Sequence, residues 1–326
     1  MQNQKWLALS AMLLALSFPV EAQQPTKMHR IGFLGGVSPA AVSARIEAFR
    51  QKLRELGYVE GKNIVIEYRY AEDKLDRLPV LAAELVRLKV DVIVTGGPGS
   101  TRASKDATAT IPIVMAQDID PVATGFVASL ARPGGNVTGF ATFSPEISGK
   151  QLELLKESVP KALRVTALGT STTPGSTLML KEVERAAAGL GVKLQYLDIL
   201  DAKDIEPAFQ TARKGKANAI LVLFSFVLNS HRAKVIDLAE KTRLPVIYPF
   251  SEFVDAGGLM TYAVSFTDLY RRAATYVDKI LKGRTPADLP VEQPIKFEFI
   301  INLNAAKQIG LTIPPNVLVR ADKVIK

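Results

Sequence analysis

The segment VTGGPGSTRAS, residues 94–104, carries the clearest chemical signal in this chain. A predicted strand runs into three glycines and a proline, after which Ser100 and Thr101 open a predicted helix. Free backbone N–H groups and hydroxyls at such a helix start suit an anionic group, for example a ligand carboxylate. The segment does not fit a nucleotide loop, because the phosphate-binding lysine is missing and Arg102 replaces the third glycine of the dinucleotide spacing. An ordinary glycine turn with a helix cap is the alternative interpretation.

Two acidic residues follow the next predicted strand and are expected at the same edge of the sheet. Asp118 could pair with a ligand ammonium group, and this charge-assisted bond strengthens when water leaves a closing cleft. Asp120 precedes Pro121, and this order favours a helix cap because proline is preferred at the first helical position.

Polar loops also follow two strands predicted in the second half of the chain, at residues 169–176 and 223–230. Their side chains could donate hydrogen bonds to the same ligand, and the candidates are Ser171, Thr172, Ser225 and Asn229. Taken individually, each of these residues is more typical of a turn or a helix cap than of a ligand contact.

Catalytic and metal-binding patterns are missing from the sequence. His29 and His231 do not form a metal-spaced pair, there is no HExxH or GxSxG string, and there is no cysteine. Glu252 and Asp268 are candidate carboxylates, but spacing alone does not bring them together as an acid and base. We therefore expect a protein that is not an enzyme and has no cofactor or metal.

Short apolar runs alternate with amphipathic stretches, which is typical of parallel strands joined by crossover helices. The first series of predicted strands is His29–Phe33, Asn63–Tyr68, Asp91–Thr95 and Ile111–Ala116. The second series is Arg164–Gly169, Lys193–Leu197, Ala219–Phe224 and Pro245–Tyr248. The pattern predicts an α/β fold of two Rossmann-like lobes with parallel sheets. Ligands of such sheets bind at the carboxyl ends of the strands, so the cleft between the lobes is the predicted site.

Three segments are predicted to cross between the lobes: Ala131–Phe140, Gly257–Val264 and Pro294–Leu303. The first is rich in glycine and contains Pro133, which indicates a turn leading into a crossing strand. The predicted first lobe is residues 29–130 plus about 262–292. The predicted second lobe is about 138–258 plus about 296–326.

The chain's basic charge does not form a nucleic-acid patch. Its 41 Lys and Arg exceed its 32 Asp and Glu, a net charge of +9, but Arg45, Arg50, Lys52 and Arg54 alternate with apolar positions on one predicted helix. We interpret them as a solvated helix face and expect no nucleic-acid partner.

Residues 1–22 have the pattern of a cleavable export signal. Lys5 precedes an apolar run too short for a spanning helix, and small residues at Val20 and Ala22 suit cleavage before Gln23. Without cysteine the chain has no disulfide and no lipid-acceptor site. We therefore expect a periplasmic protein that is not lipid-anchored.

Several longer strings together resemble one family, the solute-binding proteins of ABC-type uptake transporters, and within it the tryptophan/tyrosine-type branch. They are HRIGFLGG, LRELGYVEGKNIVIEYRYAE, VDVIVTGGPGSTRAS, TIPIVMAQDIDPVATGFVASLARPGGNVTGF and NLNAAKQIGLTIPPNVLVRADKVI. The resemblance spans the chain after the export signal. It implies a type I periplasmic-binding fold, in which two lobes joined by three crossing segments close around a small solute and dock on an inner-membrane permease.

The resemblance also implies a set of ligand-binding residues. By position these are Gly36, Ser38, Gly97, Ser100, Thr101, Asp118, Ser171, Ser225, Ser251 and Glu252. The implied solute is amino-acid-like or carboxylated, with aromatic amino acids suggested by the branch. A planar side chain would pack on aromatic walls, for which Phe140, Phe226, Phe250 and Tyr262 are candidates, although each could instead belong to the core.

Other functions remain as alternatives at this point. The same fold forms the sensor half of transcription repressors, but an export signal stands where their DNA-binding domain would lie. A periplasmic sensor that reports the closed, liganded form to a receptor is compatible with the sequence, because any partner can read a shift between open and closed lobes. We expect a monomeric binding protein that delivers its solute to a permease.

Overall fold

The computed structural model describes residues 28–142, 144–173 and 175–326. The predicted export signal lies outside the described residues. Across the described ranges, no helix combines the length and apolar character needed to cross a membrane.

Twelve strands of the described chain form two sheets. The strands of the first sheet are β1 His29–Gly35, β2 Ile64–Tyr70, β3 Val92–Thr95, β4 Ile113–Asp118 and β5 Val137–Ala141. Those of the second are β6 Arg164–Gly169, β7 Lys193–Asp198, β8 Ala219–Val222, β9 Val246–Tyr248, β10 Met260–Val264, β11 Phe297–Asn302 and β12 Lys323–Ile325. The first sheet has the order β2-β1-β3-β4-β5 and is entirely parallel.

The second sheet has the order β12-β11-β10-β9-β8-β6-β7. Its strands are parallel except that β10 and β11 pair antiparallel. This one pair departs from the predicted parallel sheets. It arises because β10 and β11 are separated by an excursion of the chain through the first lobe.

Helices cover both faces of the sheets. In the first half of the chain they are α1 Ser43–Glu55, α2 Leu78–Arg87, α3 Pro98–Ala107, α4 Glu146–Ser158 and α5 Ser176–Leu190. In the second half they are α6 Ile205–Lys214, α7 Phe226–Ser230, α8 Arg232–Thr242, α9 Ser251–Asp255, α10 Phe266–Leu281, α11 Leu303–Gln308 and α12 Pro315–Leu318. These elements confirm the predicted two-lobed α/β architecture.

From the strand order of the two sheets, we propose that the chain crosses between the lobes three times: after Ala141, at Ser265 and between Glu292 and Phe297. The predicted first crossing, Ala131–Phe140, is too early, because β5 pairs with β4 and extends the first sheet. Residues 138–141 therefore belong with the first lobe. The second predicted crossing, which would enter the first lobe near residue 262, also differs, because β10 belongs to the second sheet. We propose lobe limits of 29–141 with 266–292, and 146–264 with 297–325.

The first lobe's hydrophobic core depends on a helix from late in the chain. α10 buries Leu269, Tyr270 and Ala273 against strand residues such as Ile31 and Phe33. α10 is strongly amphipathic, with buried positions recurring along one face. The Ser265 hydroxyl caps it by accepting the Asp268 N–H at 3.4 Å. This cap falls at the second crossing, so the turn between the lobes also starts the helix.

Candidate functional site

A largely apolar pocket lies between the two lobes, beside the crossings. Its lining residues come from the end of β4, the first crossing, the starts of α4 and α5, and the ends of β8, β9 and β10. They are Ile119, Thr142, Ser144, Ile147, Ser148, Gln151, Met179, Phe224, Pro249, Phe250, Ala263, Val264 and Phe266. No acidic or basic residue is among them. The pocket therefore suits an apolar group, with a few hydroxyls and one amide to orient it.

Three phenylalanines form one wall of this pocket. The Phe224 and Phe250 rings are 5.5 Å apart and nearly perpendicular, and Phe250 lies 6.2 Å from Phe266. Phe226 contacts Phe224 edge to face but is 54% exposed and does not line the pocket. Such edge-to-face arrangements leave ring faces and edges available to a further aromatic group.

Two pocket-lining polar residues are fixed by backbone contacts. The Gln151 amide donates to the carbonyls of Tyr248 and Tyr262 at 3.4 and 2.8 Å, which ties α4 to the ends of β9 and β10. Thr142 donates its N–H and its hydroxyl to the Asp118 carbonyl at 2.6 and 2.8 Å. The first crossing is thereby anchored to the end of β4.

Asp118 is a buried carboxylic acid next to this pocket. It is 1% exposed, and neither carboxylate oxygen has a hydrogen-bond partner within the described part of the chain. Burial raises the pKa of Asp118 to about 7. The Thr101 hydroxyl and the Ile119 N–H lower this pKa only in part, since neither completes a hydrogen bond to the carboxylate.

The predicted anion cradle is a tight turn followed by a helix start. Gly97 has φ 136° and is the N-cap of α3, which begins three residues before the predicted Thr101. The Thr101 hydroxyl donates to the Gly97 carbonyl at 3.1 Å and lies 2.9 Å from the Thr95 hydroxyl. Ser100 and Thr101 are both buried and do not line the pocket.

Ser171 and Ser225 both make contacts typical of turn or cap residues. The Ser171 N–H and hydroxyl donate to the Asp198 carboxylate at 2.7 and 2.6 Å, on an exposed part of the second lobe. The Ser225 hydroxyl accepts the Leu228 N–H at 3.2 Å as the N-cap of α7. Both match the alternative interpretation considered for them. Asp120 is likewise a turn cap, accepting the Ala123 N–H at 3.0 Å.

The remaining predicted residues lie in the loop after β1 and at the start of α9. Gly36 and Ser38 are in the loop after β1, where their carbonyls accept backbone N–H groups at 2.8 and 3.2 Å. Ser251 and Glu252 begin α9, and the Glu252 carboxylate forms an ion pair with Arg45 of α1 across the cleft. None of the ten predicted residues lines the pocket, but Asp118, Ser225 and Ser251 directly adjoin lining residues in sequence.

A sequence profile described as ABC transporter substrate binding protein matches residues 30–325. The chain belongs to this family. The match confirms the resemblance predicted from the sequence and covers nearly all of the described residues.

Proteins of known structure or ligand support the same assignment. The tyrosine-binding protein of Clostridioides difficile (strain R20291) is 26% identical over 285 residues, 87% of this chain and 82% of the relative. An ABC domain from Streptococcus pneumonia in complex with L-Trp is 26% identical, with a TM-score of 0.75 over 92% of this chain and 100% of the other. A ligand-free, open substrate-binding protein with adhesive properties from Clostridium difficile is 26% identical, with a TM-score of 0.76 over 91% and 99%. These similarities confirm the type I periplasmic-binding fold.

Three residues at or beside the pocket, Phe224, Phe266 and Arg45, were not among the predicted ligand-binding residues. Phe224 and Phe266 lie on the pocket wall, whereas Phe140 is fully buried against Tyr276 in the first lobe. Arg45 was grouped with exposed helix charges, yet only 16% of its side chain is exposed. An available signal for Phe224 was its position two residues after the end of the buried strand β8, at the edge where ligands of such sheets bind.

Proposed function

We propose that this protein is the extracytoplasmic solute-binding component of an ABC-type uptake transporter and that its solute is an aromatic amino acid. The observation that carries this proposal is the phenylalanine wall of Phe224, Phe250 and Phe266 inside the cleft of a chain of this family. A planar side chain would pack on these rings and replace water there.

The relatives support the solute class. One is named for tyrosine, and another is a complex with L-Trp. The lining residues with polar groups are threonine, serine and glutamine, which bind and orient rather than transfer protons at neutral pH. We therefore propose a binding function without catalysis.

The proposed partner is an inner-membrane permease, which would recognise the closed form of a monomeric, periplasmic binding protein. A solute that contacts both lobes favours closure by its differential affinity for the closed state. The export-signal pattern of residues 1–22 and the family membership support this location and partner.

The first test is isothermal titration calorimetry of refolded, solute-free protein. The panel contains L-tyrosine, L-tryptophan and L-phenylalanine, with L-leucine, L-glutamate and glucose as comparison solutes. We expect one or more aromatic amino acids to bind at least about tenfold more tightly than L-leucine, because the ring adds stacking to apolar burial. Binding of only a non-aromatic solute, or of none, would reject the proposed solute class.

Replacing Phe250 by alanine is expected to weaken binding of the aromatic amino acid by about tenfold to a hundredfold. The change removes the central ring of the wall, which is half-buried and packs against a core of the second lobe, so thermal melting of the solute-free variant checks its folding. Phe226→Ala is the matched control, since this ring is more than half exposed and outside the pocket. If the two variants bind equally well, Phe250 does not contact the solute.

A further inference from the structure

One ion pair joins the two lobes beside the aromatic pocket. The Arg45 guanidinium belongs to α1 of the first lobe and the Glu252 carboxylate to α9 of the second, 207 residues apart in the chain. Both groups are partly shielded from water, with 16% of the Arg45 side chain and 37% of the Glu252 side chain exposed. Solvent therefore reaches the pair mainly from the Glu252 side.

The first lobe holds Arg45 in one orientation. Its guanidinium donates to the Gln117 amide oxygen at 3.2 Å and lies 4.3 Å above the centre of the Phe266 ring. The Gln117 amide nitrogen in turn donates to the Gly96 carbonyl at 3.4 Å. A guanidinium has five N–H donors in a fixed plane, so these contacts with Gln117 and Glu252 leave donors for a further acceptor.

Both members of the pair adjoin the aromatic wall. Phe266, which carries the guanidinium on its face, lines the pocket, and Glu252 follows the pocket residue Phe250 by two positions. The lining residues themselves bring no charge. An amino acid whose ring enters this pocket still has an α-carboxylate and an α-ammonium group, and each loses water when the cleft closes.

We propose that Arg45 and Glu252 recognise the zwitterionic end of the solute. Arg45 binds its carboxylate and Glu252 binds its ammonium group. This inference rests on the proposed function and names the residues that distinguish an amino acid from other aromatic molecules. Without solute, the two side chains neutralise each other across the cleft. When the solute is bound, Arg45 pairs with its carboxylate and Glu252 pairs with its ammonium group. Neither charged side chain is then left in the closed cleft without an opposite charge.

A purely structural role would have a different signature. If the pair only holds the lobes together, removing either charge lowers the population of the closed form. The affinity for every solute that needs closure then falls by the same factor. If the pair reads the zwitterion, the loss depends on which charged group the solute carries.

The test is a titration of three related ligands against three variants. The ligands are L-tryptophan, tryptamine, which lacks the carboxylate, and indole-3-propionate, which lacks the ammonium group. The tyrosine series of L-tyrosine, tyramine and 3-(4-hydroxyphenyl)propionate is run in parallel. The variants are Arg45→Gln, Glu252→Gln and, as a control on the same helix α1, Arg50→Gln, whose ion pair with Glu60 lies on the outer surface.

We expect Arg45→Gln to weaken amino-acid binding by about a hundredfold and tryptamine binding by less than about threefold. Glu252→Gln is expected to weaken amino-acid binding similarly and to leave indole-3-propionate within about threefold. Arg50→Gln should bind every ligand with the same affinity as the unmodified protein. Arg45→Lys, which retains charge without the planar fork, should fall between the unmodified protein and Arg45→Gln.

Equal losses for all three ligands, or no loss for the amino acid, would overturn the zwitterion assignment. Either result would leave the proposed function standing as long as the unmodified protein binds aromatic amino acids. If the unmodified protein binds none of the amino acids, the proposed function itself fails. Thermal melting of each solute-free variant shows whether a loss of binding comes from a loss of folding.

Discussion

Replacing Gly139 by alanine is expected to lower the free energy of unfolding by at least about 3 kcal/mol. Gly139 lies within β5 with φ 134°, a conformation that side chains disfavour. A Cβ atom there would lie 2.2 Å from the Met115 carbonyl oxygen and 2.6 Å from the Met115 nitrogen. Because Met115 is in the adjacent strand β4, relief of the clash requires the first sheet to deform at the strand that ends in Asp118.

Urea unfolding of Gly139→Ala beside Gly135→Ala measures this effect. Gly135 lies shortly before the same strand, but a Cβ atom there meets no atom within 4 Å and its φ is outside the left-handed region. The control should therefore stay within about 0.5 kcal/mol of the unmodified protein. Equal free energies of unfolding for the two variants would show that the sheet accommodates a side chain at Gly139 without strain.

Asp118→Asn is expected to remove a pH dependence of stability. Burial raises the pKa of Asp118 from its ordinary value of 3.8 to about 7, so between these values the folded state holds a proton that the unfolded state has released. The contribution of Asp118 to the free energy of unfolding is therefore largest below about pH 4 and decreases as the pH rises to about 7. The full difference is about 4 kcal/mol, lost once Asp118 ionises in its buried site.

The measurement is the free energy of unfolding at pH 5 and pH 8 for Asp118→Asn and for Asp106→Asn. Asp106 is an exposed carboxylate on α3, so its variant should retain the slope of the unmodified protein. Between pH 5 and pH 8, the free energy of unfolding of Asp118→Asn should fall by at least about 2 kcal/mol less than that of the unmodified protein. A slope identical to that of the Asp106 variant would mean that Asp118 does not change ionisation over this range.

Much of the fold could be predicted because strand and helix periodicities are local properties. The predicted β6 agrees with the structure at both ends, Arg164 and Gly169, since an apolar run there is bounded by a charged residue and a glycine. β5 was missed as part of the first sheet because its glycine and the preceding Pro133-Gly134-Gly135 look like a turn. Its place depends on pairing with β4, which local sequence does not reveal.

The candidate site was less predictable for the same reason. The sequence predicted polar loops at the carboxyl ends of the strands, but the hydroxyls that it favoured there, such as Ser171 and Ser225, stabilise turns and cap helices. Arg45 looked like an ordinary charge on an amphipathic helix. Its burial depends on Gln117, Phe266 and Glu252, which reach it from separate regions of the sequence and from both lobes.

The late position of α10 affects how the chain must fold as it is synthesised. The first sheet is complete at Ala141, yet α10, which covers the face containing Ile31 and Phe33 together with α1, ends only at Leu281. A nascent chain that has just passed β5 can cover this apolar face only in part, with α1, because the residues of α10 have not yet been made. The second sheet also waits for β11 and β12, so both lobes reach their native cores only in the last part of synthesis. Larger proteins commonly fold domain by domain from the amino terminus. This topology does not allow that order, because the first lobe needs α10, which follows most of the second lobe in the chain.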